Sequence, residues 1–385
     1  MTETVDIVVV GAGTSGIVAA LTAARLGARV ALVEAHAQIG GMATWGLHRF
    51  VCGLFLADGE RSGEPLHGET TVDFCTRLAQ GDVRAKALRR GRLWVLPFAG
   101  GEALAACAGE LVAREPNIRR CLGESPERVL CDGGKVVELV LASGLSLRLK
   151  AAVDCTGSAA LCRQAGAAVT WPDSPALAGF GFELQGVDER EAGALGLSVE
   201  VPMALRREVE AGRLPRHLAF ATYEPGGVAG TAWIKLAVPS ASVNSARGDA
   251  DLAAAVLKRH PAFRGASLTA YSPGVLERET CHLCGEYVLT GPDVLSARKF
   301  GDGVVRNAWP VERWDAQRGV CYRYLPPGDW SEIPARCLRP DRGAANLFCA
   351  GAALSADFEA AASVRVMGVC MASGEAAARQ CLAFL

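Results

Sequence analysis

A run of apolar residues that breaks into a glycine turn and resumes as an alanine-rich helix leaves a chain few folds to choose from. Here it reads VVVGAGTSGIVAALTAARLGARVALVE, from Val8 to Glu34. The spacing predicts a strand, the turn Gly11-Ala12-Gly13-Thr14-Ser15-Gly16, a helix that Gly27 can end, and a second strand closing at Glu34. Gly11 lets the chain leave the strand sharply, Gly13 leaves room for a pyrophosphate against the backbone, and Gly16 lets helix and strand pack closely. Glu34 is placed to accept hydrogen bonds from ribose hydroxyls, which argues against a cofactor phosphorylated at that position. The expectation is a dinucleotide held on the helix N-terminus.

The rest of the chain bounds the possibilities. Its 385 residues suit two domains, or one large α/β domain with an insertion. A formal charge of -1 leaves no basic footprint for nucleic acid, and no apolar run is long enough to span a bilayer, so a small molecule is the expected partner. Without a charged leader and cleavage site after Met1, the expectation is a soluble, cytoplasmic protein of undetermined oligomeric state. Fourteen cysteines spread over such a chain read as reduced, mostly buried thiols. Cys281 and Cys284 alone have a suggestive spacing, and no second ligand pair supports a metal, so none is expected. In an extended segment those two side chains fall on opposite faces.

After Glu34 comes IGGMATWGL, whose Gly40-Gly41 pair suits a backbone lying against an extended cofactor. The segment to about Val95 is irregular, with TTVDFCTRLAQ as a helical piece, and GGEALAACAGELVARE has helical spacing. VVELVLASGLSLRLKAAVDCTG reads as short strands ending at Asp154, while GFGFELQGV and GTAWIKLAV read as strands of a second region with helical pieces near 189–194 and 251–259. NLFCAGA is a buried strand by composition, followed by one long small-residue helix over about 363–383.

Five stretches together carry a resemblance: Gly11 to Glu34, GGMAT, AVDCTGSAAL, RETCHLCGEYVLTGPDV and NLFCAGAALSADFEAAASVRVMGVCMASGEAAA. The chain resembles the FAD-dependent oxidoreductase family of the glutathione-reductase-like flavoproteins, most specifically in the last block. The resemblance implies an α/β fold. In it, residues 1–50, 96–160 and 336–385 form a Rossmann-like FAD-binding domain from discontinuous segments, 51–95 is an excursion over the site, and 161–335 is an inserted α+β substrate or cap domain. It implies that the FAD contacts are Gly11, Ala12, Gly13, Thr14, Ser15, Gly16, Glu34, Ala35, Gly41, Met42, Ala43, Thr44, Thr156, Gly157, Gly351, Arg365 and Val366, with Asp154 nearby. The late helix would point its N-terminus at the flavin pyrimidine, and Arg365 at its start would add positive charge near N1, or else be a salt-bridged scaffold residue.

The family block also points to Arg278 as a clamp for a substrate anion, equally readable as an ion pair with Glu279 or Glu286. His48 and His282 are the candidates for moving a proton. Trp45, Trp171 and Trp233 are available to line a cavity. Relatives tend to have two more basic residues where this chain has Cys281 and His282, Arg-Cys where it has Ala352-Ala353, and a histidine where it has Phe358. A second nucleotide-binding motif, hydroxylase-type GD signatures and a halogenase tryptophan motif are missing from the sequence. The expected function is a dehydrogenase or oxidase that passes a hydride from a small organic substrate to flavin N5. A flavin monooxygenase and a flavin-bearing electron-transfer subunit are the alternatives.

Overall fold

The computed structural model describes residues 1–46, 48–173, 176–226, 228–239, 242–315 and 317–385. At its centre is a five-stranded, all-parallel sheet in the order Leu347–Cys349, Ala151–Asp154, Ile7–Val10, Val30–Glu34, Ile118–Leu122. Four of these five strands are buried along almost their whole length, as parallel strands covered on both faces must be. On one face the helices Thr14–Arg25 and Met367–Cys381 pack side by side with Gly101–Arg114 and Glu69–Leu78. Their contact is close because it is made of small residues. A methyl group on Gly374 would overlap the backbone of Ser15, and one on Gly16 would overlap the Gly11 carbonyl. The other face carries Thr2–Thr4, Ser146–Arg148, Lys135–Leu141 and Pro126–Asp132, a sheet whose apolar residues join a shared core.

A second, antiparallel sheet runs in the order Thr222–Pro225, Thr231–Val238, Ala178–Gln185, Ser267–Tyr271. Side chains alternate along its strands, so Phe180, Phe182, Ile234 and Leu236 meet the helices Leu197–Glu210 and Val243–Leu257 in a separate apolar core. The opposite face presents Gly179, Gly181, Glu183, Trp233 and Lys235, which are paired across the strands as Gly181 with Lys235 and Glu183 with Trp233. A hairpin of Val311–Asp315 and Gly319–Arg323 brings Glu312 opposite Tyr322.

The elements depart from the sequence reading in three places. The helix Leu197–Glu210 was not expected, because Pro202 sits inside it and lacks the N–H an interior turn would use. Helical structure near 251–259 is instead the longer Val243–Leu257, started by the Ser242 side chain accepting from Ser245 N. The late helix does not start near 363 as one piece. Phe358–Val364 ends at Arg365, Val366 is extended, and Met367–Cys381 starts afresh.

Candidate functional site

The strand Ile7–Val10 delivers the glycine turn to the edge of the helix layer. Gly11 has φ +95°, and a methyl group there would stand 2.5 Å from the Cys155 carbonyl oxygen, so the residue is glycine for the protein's own sake. Gly41, at φ +55°, is held likewise, 2.9 Å from the Gly13 Cα for a built methyl. Gly13 differs. Its φ of -69° with extended ψ suits any residue, and a methyl group there would meet nothing within 4 Å. No contact among the described residues explains its missing side chain.

Around this open spot the other elements converge. Gly13 and Gly40 form a parallel bridge, and Gly40 N donates to the Ala12 carbonyl at 2.8 Å. Gly13 starts the helix Thr14–Arg25 with no side-chain cap. Gly41 starts the short helix Met42–Trp45, where Thr44 Oγ1 donates to the Gly41 carbonyl at 2.7 Å, Ala43 is buried and Met42 is exposed. Gly351 packs against Ser15 and donates its N–H to Ser373 Oγ at 2.8 Å. Glu34 is buried, and its carboxylate accepts from Ala12 N at 2.6 Å and from His36 N at 3.0 Å. Ala35, next to it, is exposed. Asp154 does not face this groove with a free carboxylate: it accepts from Thr156 N, Thr156 Oγ1 and Cys162 N. Gly157 is open toward solvent, and its carbonyl accepts from Thr280 Oγ1 at 2.7 Å.

Two residues before Thr280, Arg278 belongs to a cluster of charged side chains. Arg365 does not start a helix; its buried guanidinium donates to the carbonyls of Arg278 at 2.7 Å and Glu312 at 2.8 Å. Val366 packs on Gly53, and Gly368 N donates to the Cys52 carbonyl at 2.8 Å. Arg278 makes no ion pair with Glu279 or Glu286. Its Nη1 donates to the Leu177 carbonyl, its guanidinium lies 3.9 Å above the Trp314 ring, and Nη2 is buried with no hydrogen-bond partner among the described residues. A methyl group built on Gly179 would stand 3.3 Å from that Nη2 and 3.0 Å from Lys235 Cε. The two cations therefore share one small area.

Burial, with Arg278 next, pushes the Lys235 ammonium down to about 8. His48, beside Gly46, is pushed down to about 3 by burial and then by Lys235 and Arg278, so its imidazole is neutral. Glu312 supplies negative charge to all three cations, its carboxylate held by Trp314 Nε1 at 2.7 Å and Trp309 Nε1 at 3.1 Å.

The structure thus brings His48, Arg278 and Arg365 together, while His282, which also feels the Arg365 charge, packs against Phe358. The His282 ring meets Phe358 at 5.4 Å, and neither of its nitrogens has a hydrogen-bond partner among the described residues. Cys281 Sγ donates to the Ser158 carbonyl and Cys284 Sγ lies 3.3 Å from Thr170 Oγ1, so the two thiols have separate neighbours. Of the three tryptophans expected to line a cavity, Trp171 is exposed and Trp45 stacks edge-on against His36; only Trp233 stands on the pocket face of the sheet. Lys235, Glu312, Trp314 and Tyr322 were not anticipated. A signal for Lys235 exists in GTAWIKLAV, where strict alternation puts the single lysine on the face opposite Ile234 and Leu236.

A parallel sheet that ends in a glycine turn, flanked by an acidic strand end and two uncapped helix starts, defines a dinucleotide-binding α/β protein. The family model for FAD dependent oxidoreductases matches residues 6–383, and the chain belongs to that family. It is an FAD-dependent oxidoreductase. No curated protein matches it in sequence.

Among solved structures, it is similar to a geranylgeranyl bacteriochlorophyll reductase-like protein from Thermoplasma acidophilum: 12% identity, 100% of this chain and 78% of that one, TM-score 0.48. The OxyS anhydrotetracycline hydroxylase from Streptomyces rimosus shares 15% identity over 85% of this chain and 58% of its own, with TM-score 0.46. PqsL of P. aeruginosa, solved with 2-aminobenzoylacetate, shares 15% over 99% and 86%, with TM-score 0.43. Likeness at this level carries no conclusion about the reaction. No helix among the described residues is long and apolar enough to cross a membrane.

Proposed function

We propose that the chain removes a hydride from a small organic substrate and delivers it to N5 of FAD, as a dehydrogenase or oxidase of the glutathione-reductase-like flavoproteins. Bound FAD supplies the two-electron acceptor. In this reading the cofactor lies along Gly11, Ala12, Gly13, Thr14, Ser15 and Gly16, with Glu34 and Ala35 at its ribose. It continues past Gly41, Met42, Ala43 and Thr44 on one side and Thr156, Gly157 and Gly351 on the other, toward Val366. Gly13 supports this placement, because a side chain missing for no internal reason is what a pyrophosphate drawn against the backbone requires. The sheet of residues 178–271 with its two helices acts as an inserted cap over the substrate side.

The observation that carries the reading is a shared wall. In this reading Arg365 and Val366 border the end of the groove; in support, the Arg365 guanidinium is fastened to the backbone of Arg278, whose side chain reaches the same point of the strand as Lys235. An electron-transfer subunit has no use for an internal polar pocket abutting its cofactor groove. Arg278 and Lys235 bind and orient the substrate. His48 enters the reaction as a neutral imidazole, and it accepts a proton only when the positive field of Lys235 and Arg278 is offset by negative charge arriving with the substrate.

The test is anaerobic mixing of the FAD-loaded protein with a panel of small donors, followed by flavin bleaching and the stoichiometry of oxidised product. One oxidised product per flavin bleached is expected. A panel that leaves the flavin oxidised, while NAD(P)H bleaches it and oxygen then appears in a hydroxylated product, replaces this reading with the monooxygenase.

A further inference from the structure

We infer that the pocket recognises a substrate carrying a carboxylate, held directly by the Lys235 ammonium with the Arg278 guanidinium behind it. This rests on the reading above and names the substrate class of the same site.

Lys235 projects from the inner face of the antiparallel sheet and makes no hydrogen bond or ion pair with any described residue. Its side chain is partly buried. A lysine so placed is costly unless an anion completes it. Arg278 tells the same story independently, since its buried Nη2 also has no partner.

The charges nearby set the sign of what is missing. Arg49 pairs with Glu183 and Arg90 with Glu224, and His48 is neutral. Among the described residues, Glu312 faces Lys235, Arg278 and Arg365, and Glu279 faces Arg365. Both are already engaged, Glu312 by two indole N–H groups and Glu279 by the Ala176 N–H at 3.2 Å. Neither the Lys235 ammonium nor Arg278 Nη2 is bonded to a carboxylate among the described residues, which suits an anionic group. A carboxylate has acceptor oxygens for both orphaned donors, and the missing side chain of Gly179 is what lets Lys235 and Arg278 come close to the same point of the strand.

The probe is benzoate, titrated into oxidised FAD-loaded protein at neutral pH and followed by calorimetry and by perturbation of the flavin spectrum. Benzamide is the control of the same shape without charge. Benzoate is expected to bind more tightly than benzamide by roughly tenfold or more. Lys235→Met should weaken benzoate by roughly tenfold to a hundredfold and leave benzamide unchanged, and Lys235→Arg should restore most of the loss. FAD content and melting temperature are measured first for each variant.

Equal affinity for benzoate and benzamide overturns the inference. So does wild-type benzoate affinity in a folded, FAD-loaded Lys235→Met protein, or binding of inorganic phosphate where benzoate does not bind. If Lys235→Met does not fold, the carboxylate–amide comparison on the unaltered protein decides. Binding to oxidised protein needs no turnover, so a failure here is distinct from a panel of donors that never bleaches the flavin.

Discussion

Glu34 serves the protein as well as the cofactor, and that double role can be measured. Its Oε2 accepts the Ala12 N–H at 2.6 Å inside the core, and its Oε1 accepts the His36 N–H at a partly buried site. Removing the carboxylate in Glu34→Ala leaves the Ala12 donor buried and unpartnered, at a cost of about 1–3 kcal/mol, while water can reach His36 and relieve much of that second loss. Glu34→Gln keeps one oxygen for Ala12 and turns its amide away, so the cost falls to about 1 kcal/mol. Both changes also remove the anionic acceptor proposed for the ribose, which should weaken FAD by roughly tenfold.

The assay must separate the two effects. Ligand binding alone raises apparent stability by RT ln(1 + [L]/Kd), so urea unfolding is run on protein stripped of FAD, and affinity is measured separately by flavin fluorescence. A stripped Glu34→Ala protein as stable as the unaltered one would refute the role at Ala12. Unchanged FAD affinity in Glu34→Gln would refute the placement of the ribose. A bulky replacement such as Glu34→Arg would confound the two.

Two further outcomes follow from the buried polar groups. His48 is pushed down to about 3, and burial pushes His67, whose Nε2 donates to the Gly53 carbonyl, down to about 4, so both are neutral in the fold while the unfolded chain protonates them near pH 6.5. As pH falls below that value the unfolded state binds two more protons, so stability drops by about 2.7 kcal/mol per pH unit near pH 5. Urea unfolding across that range measures it, His67→Gln should halve the slope, and a flat profile would contradict the burial of both imidazoles. Arg365→Met should lower the midpoint potential of bound FAD and destabilise the fold by about 2–5 kcal/mol, since two backbone carbonyls lose their donor. Arg365→Lys should recover the potential better than the stability, and spectroelectrochemistry showing no change in Arg365→Met would leave the residue a purely structural role.

How far the sequence could be read depended on how local each feature is. The strand, turn and helix from Ile7 to Arg25 announce themselves because periodicity, glycine spacing and strand end lie within a few tens of residues. The strand Leu347–Cys349 was equally clear from its apolar composition, although its place beside Ala151–Asp154 was not. The break at Arg365 and Val366 was hidden because neither residue is a helix breaker; the interruption comes from tertiary bonds, with Arg365 fastened to Arg278 and Glu312 and Gly368 bonded to Cys52. Lys235 was hidden differently, since its meaning lies in which face of a distant sheet meets Arg278. Trp171 looked available for a cavity only because a sequence does not show which tryptophans face out.

The order of the central sheet sets the order in which this molecule can come into being. The strand Ile7–Val10 and the helix Thr14–Arg25 leave the ribosome well before Ala151–Asp154, which joins them with one side still unpaired. That edge waits for Leu347–Cys349, and the helix beside it waits for Met367–Cys381. An uncovered strand edge is a template for the wrong chain until its own partner arrives. Joining segments so far apart costs little more in chain entropy than joining nearer ones, because that cost grows only with the logarithm of the loop, but it cannot begin before the later strand has been made. Gly351 therefore reaches Ser15 of the glycine turn only long after that turn has been made. A nascent chain stalled before Gly351 holds half of a groove and nothing with which to close it.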